Sequence, residues 1–227
     1  MSKTDDVTRS TTAAISDQRT AAERARTFLP GMWRRLMPLY DVRSRLARVG
    51  RLHRRGVEIA AVAPGQAVLD VGCGTGNLAL AILAAQPAAL VTGLDPDGEA
   101  LRVAARKARR RGVRLELLQG FADRLPAADG SVDRVVSALA LHHVGETDRA
   151  AFAREALRVL RPGGTVTIID LAGGRAPQHR GHRHDHDHDR GRSIPALLTD
   201  AGFADAREVD HADHRFGRIT FVQATRG

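Results

Sequence analysis

The sequence predicts a large α/β domain built on a doubly wound, mostly parallel sheet, and three observations predict it. An apolar strand, Ala67 to Val71, runs directly into the turn Gly72-Cys73-Gly74-Thr75-Gly76 and then into an apolar helix. Strand-like and helix-like segments then alternate along the chain, and the crossover rule makes such a series a parallel sheet with helices on both faces. The apolar run Ala89 to Leu94 ends in Asp95, roughly 20 residues past the glycines, where doubly wound nucleotide-binding folds carry a ribose-binding acid.

Taken in chain order, residues 1–20 are rich in Ser, Thr and Asp without apolar periodicity and are expected to form a disordered tail. Residues 21–64 read as helices interrupted near Pro30-Gly31 and Pro38, and the breaker pair Pro64-Gly65 closes this N-terminal helical extension. The domain proper is expected over 65–227. Glycines at 72, 74 and 76 let the backbone take positive φ and approach a ligand closely. The helix expected over Asn77 to Ala85 turns its free N–H groups and positive dipole end toward that turn. A dinucleotide fingerprint wants its third glycine at position 77, where Asn77 stands, so the spacing argues against NAD or FAD and leaves a nicotinamide oxidoreductase the weakest reading.

Beyond the turn come strand Leu90 to Asp95, helix Gly98 to Arg111, strands Val113 to Leu118 and Val132 to Ala138, helix Asp148 to Leu160 and strand Thr165 to Asp170. The tail supplies a helix, Ser193 to Ala201, and two strand-like runs, Ala206 to Val209 and Arg218 to Ala224, which pair as an antiparallel hairpin across Asp210 to Gly217. The expected architecture is therefore a Rossmann-like, seven-stranded, mostly parallel sheet with a C-terminal antiparallel hairpin and an N-terminal helical extension.

Composition removes several classes. At 227 residues the chain is long enough to bury a substantial core. No apolar run approaches the roughly 20 residues a bilayer crossing needs. The polar start, with Asp5 and Asp6, resembles neither signal peptide nor anchor. No membrane insertion and a cytoplasmic location are the expectations, and the single cysteine, Cys73, fits a reducing compartment. Inside the glycine turn Cys73 reads as the filler of a small apolar space. The formal charge of +9 is diffuse, and all but Lys3 and Lys107 of the 35 basic residues are arginines. Arg102 to Arg111 reads as the solvated face of an amphipathic helix. With aromatic residues at 4%, a base-stacking platform is poorly supplied, which argues against nucleic acid.

Leu69-Asp70-Val71-Gly72-Cys73-Gly74-Thr75-Gly76-Asn77, followed by Asp95, resembles motif I and the ribose acid of the class I S-adenosylmethionine (SAM)-dependent methyltransferases. The resemblance implies that Asp70, Gly72, Cys73, Gly74 and Gly76 cradle the methionine and ribose of SAM, that Asp95 accepts from the ribose hydroxyls, and that Pro96 walls one adenine face. Gly120-Phe121-Ala122-Asp123-Arg124-Leu125-Pro126 is similar to the family's adenine loop. Phe121 stands where an aspartate is frequent, which leaves adenine to Phe121 packing, the Ala122 N–H and Asp123; a plain surface loop with a buried Phe121 is the alternative. Leu160-Arg161-Pro162-Gly163-Gly164-Thr165 is similar to the turn before strand five, and Ser137 falls where the family places the methionine end. Leu36 to Asp41 and Leu52-His53-Arg54-Arg55 look like the opening segment of quinone-type C-methyltransferases, in which Tyr40 would lie over the cofactor as part of an N-terminal lid spanning 21–64. The Asn and Trp that commonly flank that segment are absent, and a core position for Tyr40 is the other reading.

Ser137 to Val144 carries His142 and His143. Histidine titrates nearest neutrality, so either is a candidate general base, and a packed or capping role is the alternative. Alignment and solvent exclusion supply much of the rate of transfer from a sulfonium, so a base is needed only when the acceptor must lose a proton. No residue is assigned as catalytic. The absence of an Asn/Asp-Pro-Pro-Tyr tetrad argues against methylation of nucleobase amino groups.

Residues 174–192 form a histidine-rich insertion. If extended, it puts His182, His184, His186 and His188 on one face and Asp185, Asp187 and Asp189 on the other. Such imidazoles suit a divalent metal, zinc or nickel; a flexible low-complexity insertion that binds metal adventitiously is the alternative. The sequence thus points to a SAM-dependent methyltransferase with a small-molecule acceptor. A SAM-binding or metal-sensing regulatory protein on the same fold, without catalysis, is the competing class. The sequence does not fix the oligomeric state.

Overall fold

In the computed structural model, residues 14–25, 49–172, 192–215 and 217–227 are described. Tyr40 and the four histidines His182, His184, His186 and His188 lie outside them. The described elements are β1 (Ile15–Asp17), α1 (Ala21–Ala25), α2 (Val49–Ala60), β2 (Ala67–Val71), α3 (Asn77–Ala85), β3 (Leu90–Asp95), α4 (Gly98–Arg110), β4 (Glu116–Gln119), β5 (Val132–Ala138), a 3-10 turn (Leu141–His143), α5 (Glu146–Val159), β6 (Leu160–Leu171), α6 (Ile194–Ala201), β7 (Ala204–His214) and β8 (Gly217–Thr225). The strands form one sheet in the order β1-β4-β3-β2-β5-β6-β8-β7. All pairings are parallel except those of β8, which runs antiparallel to both β6 and β7.

Strand periodicity divides the core into two layers. Successive side chains alternate across a sheet, so Val136 joins Leu52, Leu80, Ile82, Leu101 and Ala104 under α2, α3 and α4. Val135 faces the other way, with Phe152, Ala156, Val159, Leu197 and Leu198 of α5 and α6. The helices are bounded as their sequences dictate. Asp97 caps α4, accepting from the N–H groups of Glu99 and Ala100, and Ser193 caps α6. No described helix is long and apolar enough to cross a membrane.

Chain direction reverses at β2. From β2 the chain builds outward through β3 and β4, then returns to place β5 on the other side of β2. Loops at the C-terminal ends of β2 and β5 therefore diverge and leave a crevice, the topological switch point at which doubly wound sheets bind ligands.

Three features depart from the sequence expectations. An eighth strand, β1, pairs Ile15–Asp17 with Leu117–Gln119 of β4, where only an unstructured tail was expected. It is three residues long and exposed throughout, too short for any hydrophobic period to announce it. The Arg161 to Gly164 turn is instead a bulge within β6. Val132 pairs with Leu160 but Arg134 with Thr165, and the extra residues are held where Gly163 N–H donates to Arg226 O at 2.8 Å and Arg226 N–H to Gly164 O at 2.9 Å. The hairpin is longer than expected, with pairing continuing to His214↔Gly217.

Candidate functional site

The glycine turn is pinned to the neighbouring strand and open toward the crevice. Gly72 and Cys73 donate their N–H groups to Leu94 O at the end of β3, at 2.8 and 3.0 Å. Gly72, Gly74 and Gly76 all have positive φ, at 72°, 52° and 76°. A Cβ on Gly72 would meet Ala140 Cβ at 2.4 Å, whereas one on Gly74 would meet nothing within 4 Å. Gly72 is thus required by close packing, and Gly74 offers bare backbone to whatever enters. Cys73 is buried, its Sγ pressed toward the missing side chain of Gly93, and burial pushes its thiol pKa well up. It fills space, as its place in the turn suggested.

Two buried carboxylates close the turn. Asp70, 1% exposed at the end of β2, uses Oδ2 to accept from the Ala79 N–H of α3 at 3.1 Å, while its buried Oδ1 has no hydrogen-bond partner among the described residues. Burial, reinforced by nearby Asp95, raises its pKa to about 7. Asp95 accepts from Gly74 N–H at 2.7 Å and Asp97 N–H at 2.8 Å, one bond to each oxygen, and burial raises it to about 6. Each oxygen keeps further lone-pair capacity. On the flank, Lys107 Nζ donates to Thr75 Oγ1 at 3.0 Å and to Asn77 Oδ1 at 2.8 Å. His53 of α2 is lowered to about 4 by burial and by the Lys107 charge, so it is neutral at physiological pH. His53, Asp70, Gly72, Cys73, Gly74, Thr75, Asn77, Leu78, Ala138 and Leu139 line one cleft at the switch point.

Along the same edge lie the residues expected near adenine. Pro96 O accepts from Gln119 Nε2 at 2.9 Å, Phe121 is buried, and Ala122 packs partly buried on the α5 side. Next to Asp123, Arg124 grips the N-terminal segment. Its guanidinium donates to both Glu23 oxygens at 3.2 and 2.8 Å and to Gln18 O at 2.6 Å, and Gln18 N–H donates to Gln119 O at 2.8 Å. Glu23 is only 12% exposed, and the Arg124 guanidinium pulls its carboxyl down to about 2.

On the other side of the crevice, β5 ends in an abrupt turn. Leu139 has φ 54°, left-handed backbone that costs a non-glycine residue about 1 kcal/mol or more, and its N–H donates to Ile169 O at 2.8 Å. Asp170, 1% exposed at the end of β6, collects four donors: Leu141 N–H at 2.8 Å, His142 N–H at 3.2 Å, Leu171 N–H at 2.8 Å and His142 Nδ1 at 2.6 Å. The His142 and His143 rings lie 3.9 Å apart. Burial and its neighbour hold His143 below the usual histidine range.

The structure therefore gathers Asp70, Gly72, Cys73 and Gly74 in one cleft, seats Gly76 immediately before α3, and aligns Asp95, Pro96, Phe121, Ala122 and Asp123 on the neighbouring strand ends. Ser137 is buried, shares a face with Val135 rather than with the cleft residue Ala138, and its Oγ has no partner among the described residues. Sequence reasoning missed Thr75, Asn77 and Lys107, whose contacts span three segments, and Asp170, which no local pattern ties to His142. Among the described residues no cluster of metal-ligating side chains is found. The donor set fits SAM: an unfilled buried carboxylate oxygen suits an ammonium, Asp95 has lone pairs for hydroxyls, and Gly74 leaves room above its Cα.

Comparison with known proteins agrees with this geometry. Residues 68–164 match the family described as a methyltransferase domain. A demethylmenaquinone methyltransferase of Thermus thermophilus is 34% identical over 143 residues, 62% of this chain and 64% of that protein. A ubiquinone/menaquinone biosynthesis C-methyltransferase of Syntrophotalea carbinolica is 34% identical over 141 residues, 61% of this chain and 59% of its own length. The chain thus matches less than two thirds of the length of these relatives. The crystal structure of a SAM-dependent methyltransferase from Aquifex aeolicus superposes with a TM-score of 0.59 at 22% identity, covering 77% of this chain and 89% of that one. That of the [4+2]-cyclase SpnF gives 0.63 at 22% identity, covering 78% and 81%. The resemblance read from Asp70 to Asp95 and the expected doubly wound fold both hold.

Proposed function

We propose that this chain is a SAM-dependent methyltransferase acting on a small-molecule acceptor, with a quinol the favoured class. The observation that carries the reading is Asp70: a buried carboxylate with one oxygen unfilled among the described residues, raised toward neutrality, in the same cleft as the open backbone of Gly74. Bound there, SAM supplies an electrophilic methyl on a sulfonium. Asp70 and the turn through Gly72, Cys73, Gly74 and Gly76 hold its methionine end, Asp95 its ribose, and Pro96, Phe121, Ala122 and Asp123 its adenine. In this reading the extension over 21–64 would serve as a lid that excludes water, and Tyr40, outside the described residues, would be its contact with the cofactor. The quinol class is supported by the likeness to the two quinone methyltransferases of Thermus thermophilus and Syntrophotalea carbinolica. A single buried cysteine is in keeping with cytoplasmic work.

One fold neighbour is a cyclase, so fold alone does not fix the chemistry. Calorimetry with SAM and S-adenosylhomocysteine, followed by turnover on a reduced naphthoquinone, tests the reading. Binding of both ligands with methylated product supports it, and no binding of either overturns it. The competing reading, a SAM-binding metal sensor, rests on His182, His184, His186 and His188. It predicts that zinc or nickel changes SAM affinity without turnover, and turnover unaffected by deleting residues 178–190 would dispose of it.

A further inference from the structure

The β5 side of the crevice holds a pair that the cofactor reading does not use. Asp170 has its oxygens filled by three backbone N–H groups and one ring nitrogen, so it is fixed in place. The ring that it holds is His142, whose Nδ1 lies 2.6 Å from Oδ1. An imidazole that donates through Nδ1 carries its lone pair on Nε2. That Nε2 has no hydrogen-bond partner among the described residues, and the side chain keeps 9% exposure. The titratable groups that face the ring are Asp170 of β6 and His143 of its own turn.

Placement points the same way. The turn begins at Leu139, a cleft residue with left-handed backbone, and its next residue, Ala140, is pressed against Gly72 of the cofactor turn. One end of this short segment is thus locked to the glycine turn and the other to Asp170. Strained backbone held from two sides is found where a side chain must be aimed.

We propose that His142, fixed in its Nδ1–H tautomer by the positioning residue Asp170, is the general base that removes the hydroxyl proton of an aromatic acceptor such as a quinol. The inference rests on the methyl-transfer reading above. The hydroxyl proton passes to Nε2, and the phenolate so formed bonds to the methyl through its oxygen or its conjugated ring carbon. The electron pair of the breaking S–CH3 bond stays on sulfur. When the ring carbon is methylated, its own proton then leaves to water and restores the aromatic ring. The imidazolium returns its proton to solvent.

The test compares wild type, His142→Gln and Asp170→Asn, each assayed with 1,4-naphthohydroquinone and each first measured for SAM affinity. The expected result for His142→Gln is unchanged SAM affinity, a loss of about a hundredfold or more in kcat, disappearance of the acid limb of kcat/KM against pH, and partial rescue by added imidazole. Asp170→Asn binds SAM as the wild type does but loses part of kcat, because the ring is no longer held in one tautomer. An acceptor-independent readout is 15N NMR of the histidine side chains with S-adenosylhomocysteine present. His142 is expected as the Nδ1–H tautomer in the wild type and not in Asp170→Asn. A His142→Gln enzyme within about threefold of wild-type kcat, an Nε2–H tautomer, or wild-type protein that binds SAM yet fails to methylate the naphthohydroquinone would each overturn the proposal. Wild type that does not bind SAM would instead sink the cofactor reading, and the NMR tautomer would still decide the pair.

Discussion

Asp70 and Asp170 sit at the same edge of one sheet, are equally buried, and are built for opposite ends. Among the described residues, Asp70 accepts one hydrogen bond and leaves an oxygen empty. Asp170 accepts four. A buried carboxylate is tolerated when its lone pairs are filled, and is a source of instability when they are not. The first keeps a lone pair open for the cation of the proposed cofactor, and the second is a staple that holds a turn. The crevice thus has one side with an unsatisfied buried carboxylate and one side with a fully satisfied one.

The largest test of that contrast is Asp170→Ala. It strips partners from three backbone N–H groups and a ring nitrogen at once, and should destabilise the protein by about 3–5 kcal/mol in urea unfolding. Asp70→Ala, which strips one, should cost far less. If the two losses are equal, the contrast fails. Next comes Gly72→Ala, where positive φ and a 2.4 Å approach to Ala140 Cβ combine. It should cost about 3 kcal/mol of stability and abolish SAM binding, because the turn and the Leu139 segment are forced apart.

Asp70→Asn sharpens the contrast by moving two readouts in opposite directions. A carboxyl raised to about 7 when folded, against an ordinary value near 4, binds extra protons in the folded state between those limits. Its favourable contribution is complete below the ordinary value and is lost as pH rises through about 7. At pH 8 the unliganded protein therefore carries the cost of an ionised, half-satisfied group. Asn should raise its stability there by about 2 kcal/mol while weakening SAM about tenfold to a hundredfold, read by thermal melts and calorimetry. The same shift, with Asp95 at about 6, predicts that SAM affinity in the wild type falls as pH drops from 8 to 5 and that binding near pH 7 releases protons. Calorimetry in buffers of different ionisation enthalpy measures that release. Smallest is Glu23→Gln: the Arg124 pair is part-exposed, so stability should change by less than about 1 kcal/mol and SAM affinity by a few-fold at most.

The same division explains what was legible in the sequence. The cofactor half is written in local pattern. Gly72, Gly74 and Gly76 are glycines because φ and close packing demand it, and Asp70 and Asp95 stand at strand ends that hydrophobic runs reveal. The His142 side depends on a contact between residues 28 positions apart. His142 was visible as a candidate, but nothing in its neighbourhood distinguishes a packed histidine from an oriented one, and its partner Asp170 closes an apolar strand much as any polar residue does. Arg161 to Gly164 misled for a related reason. Pro and paired glycines mark a change of direction, and a bulge inside a strand changes direction as surely as a turn does. Among the basic residues, Lys107 carries no pattern of its own, and its importance emerges only where α4 passes Thr75 and Asn77.

Strand β1 has a consequence for handling this protein. Without its three residues, β4 would present a bare row of amide and carbonyl groups next to the apolar Leu117 and Leu118, the kind of border through which sheets recruit one another into aggregates. Chains shortened past residue 17 should therefore be less soluble than their loss of mass suggests, and should sediment as oligomers at concentrations where the full chain does not.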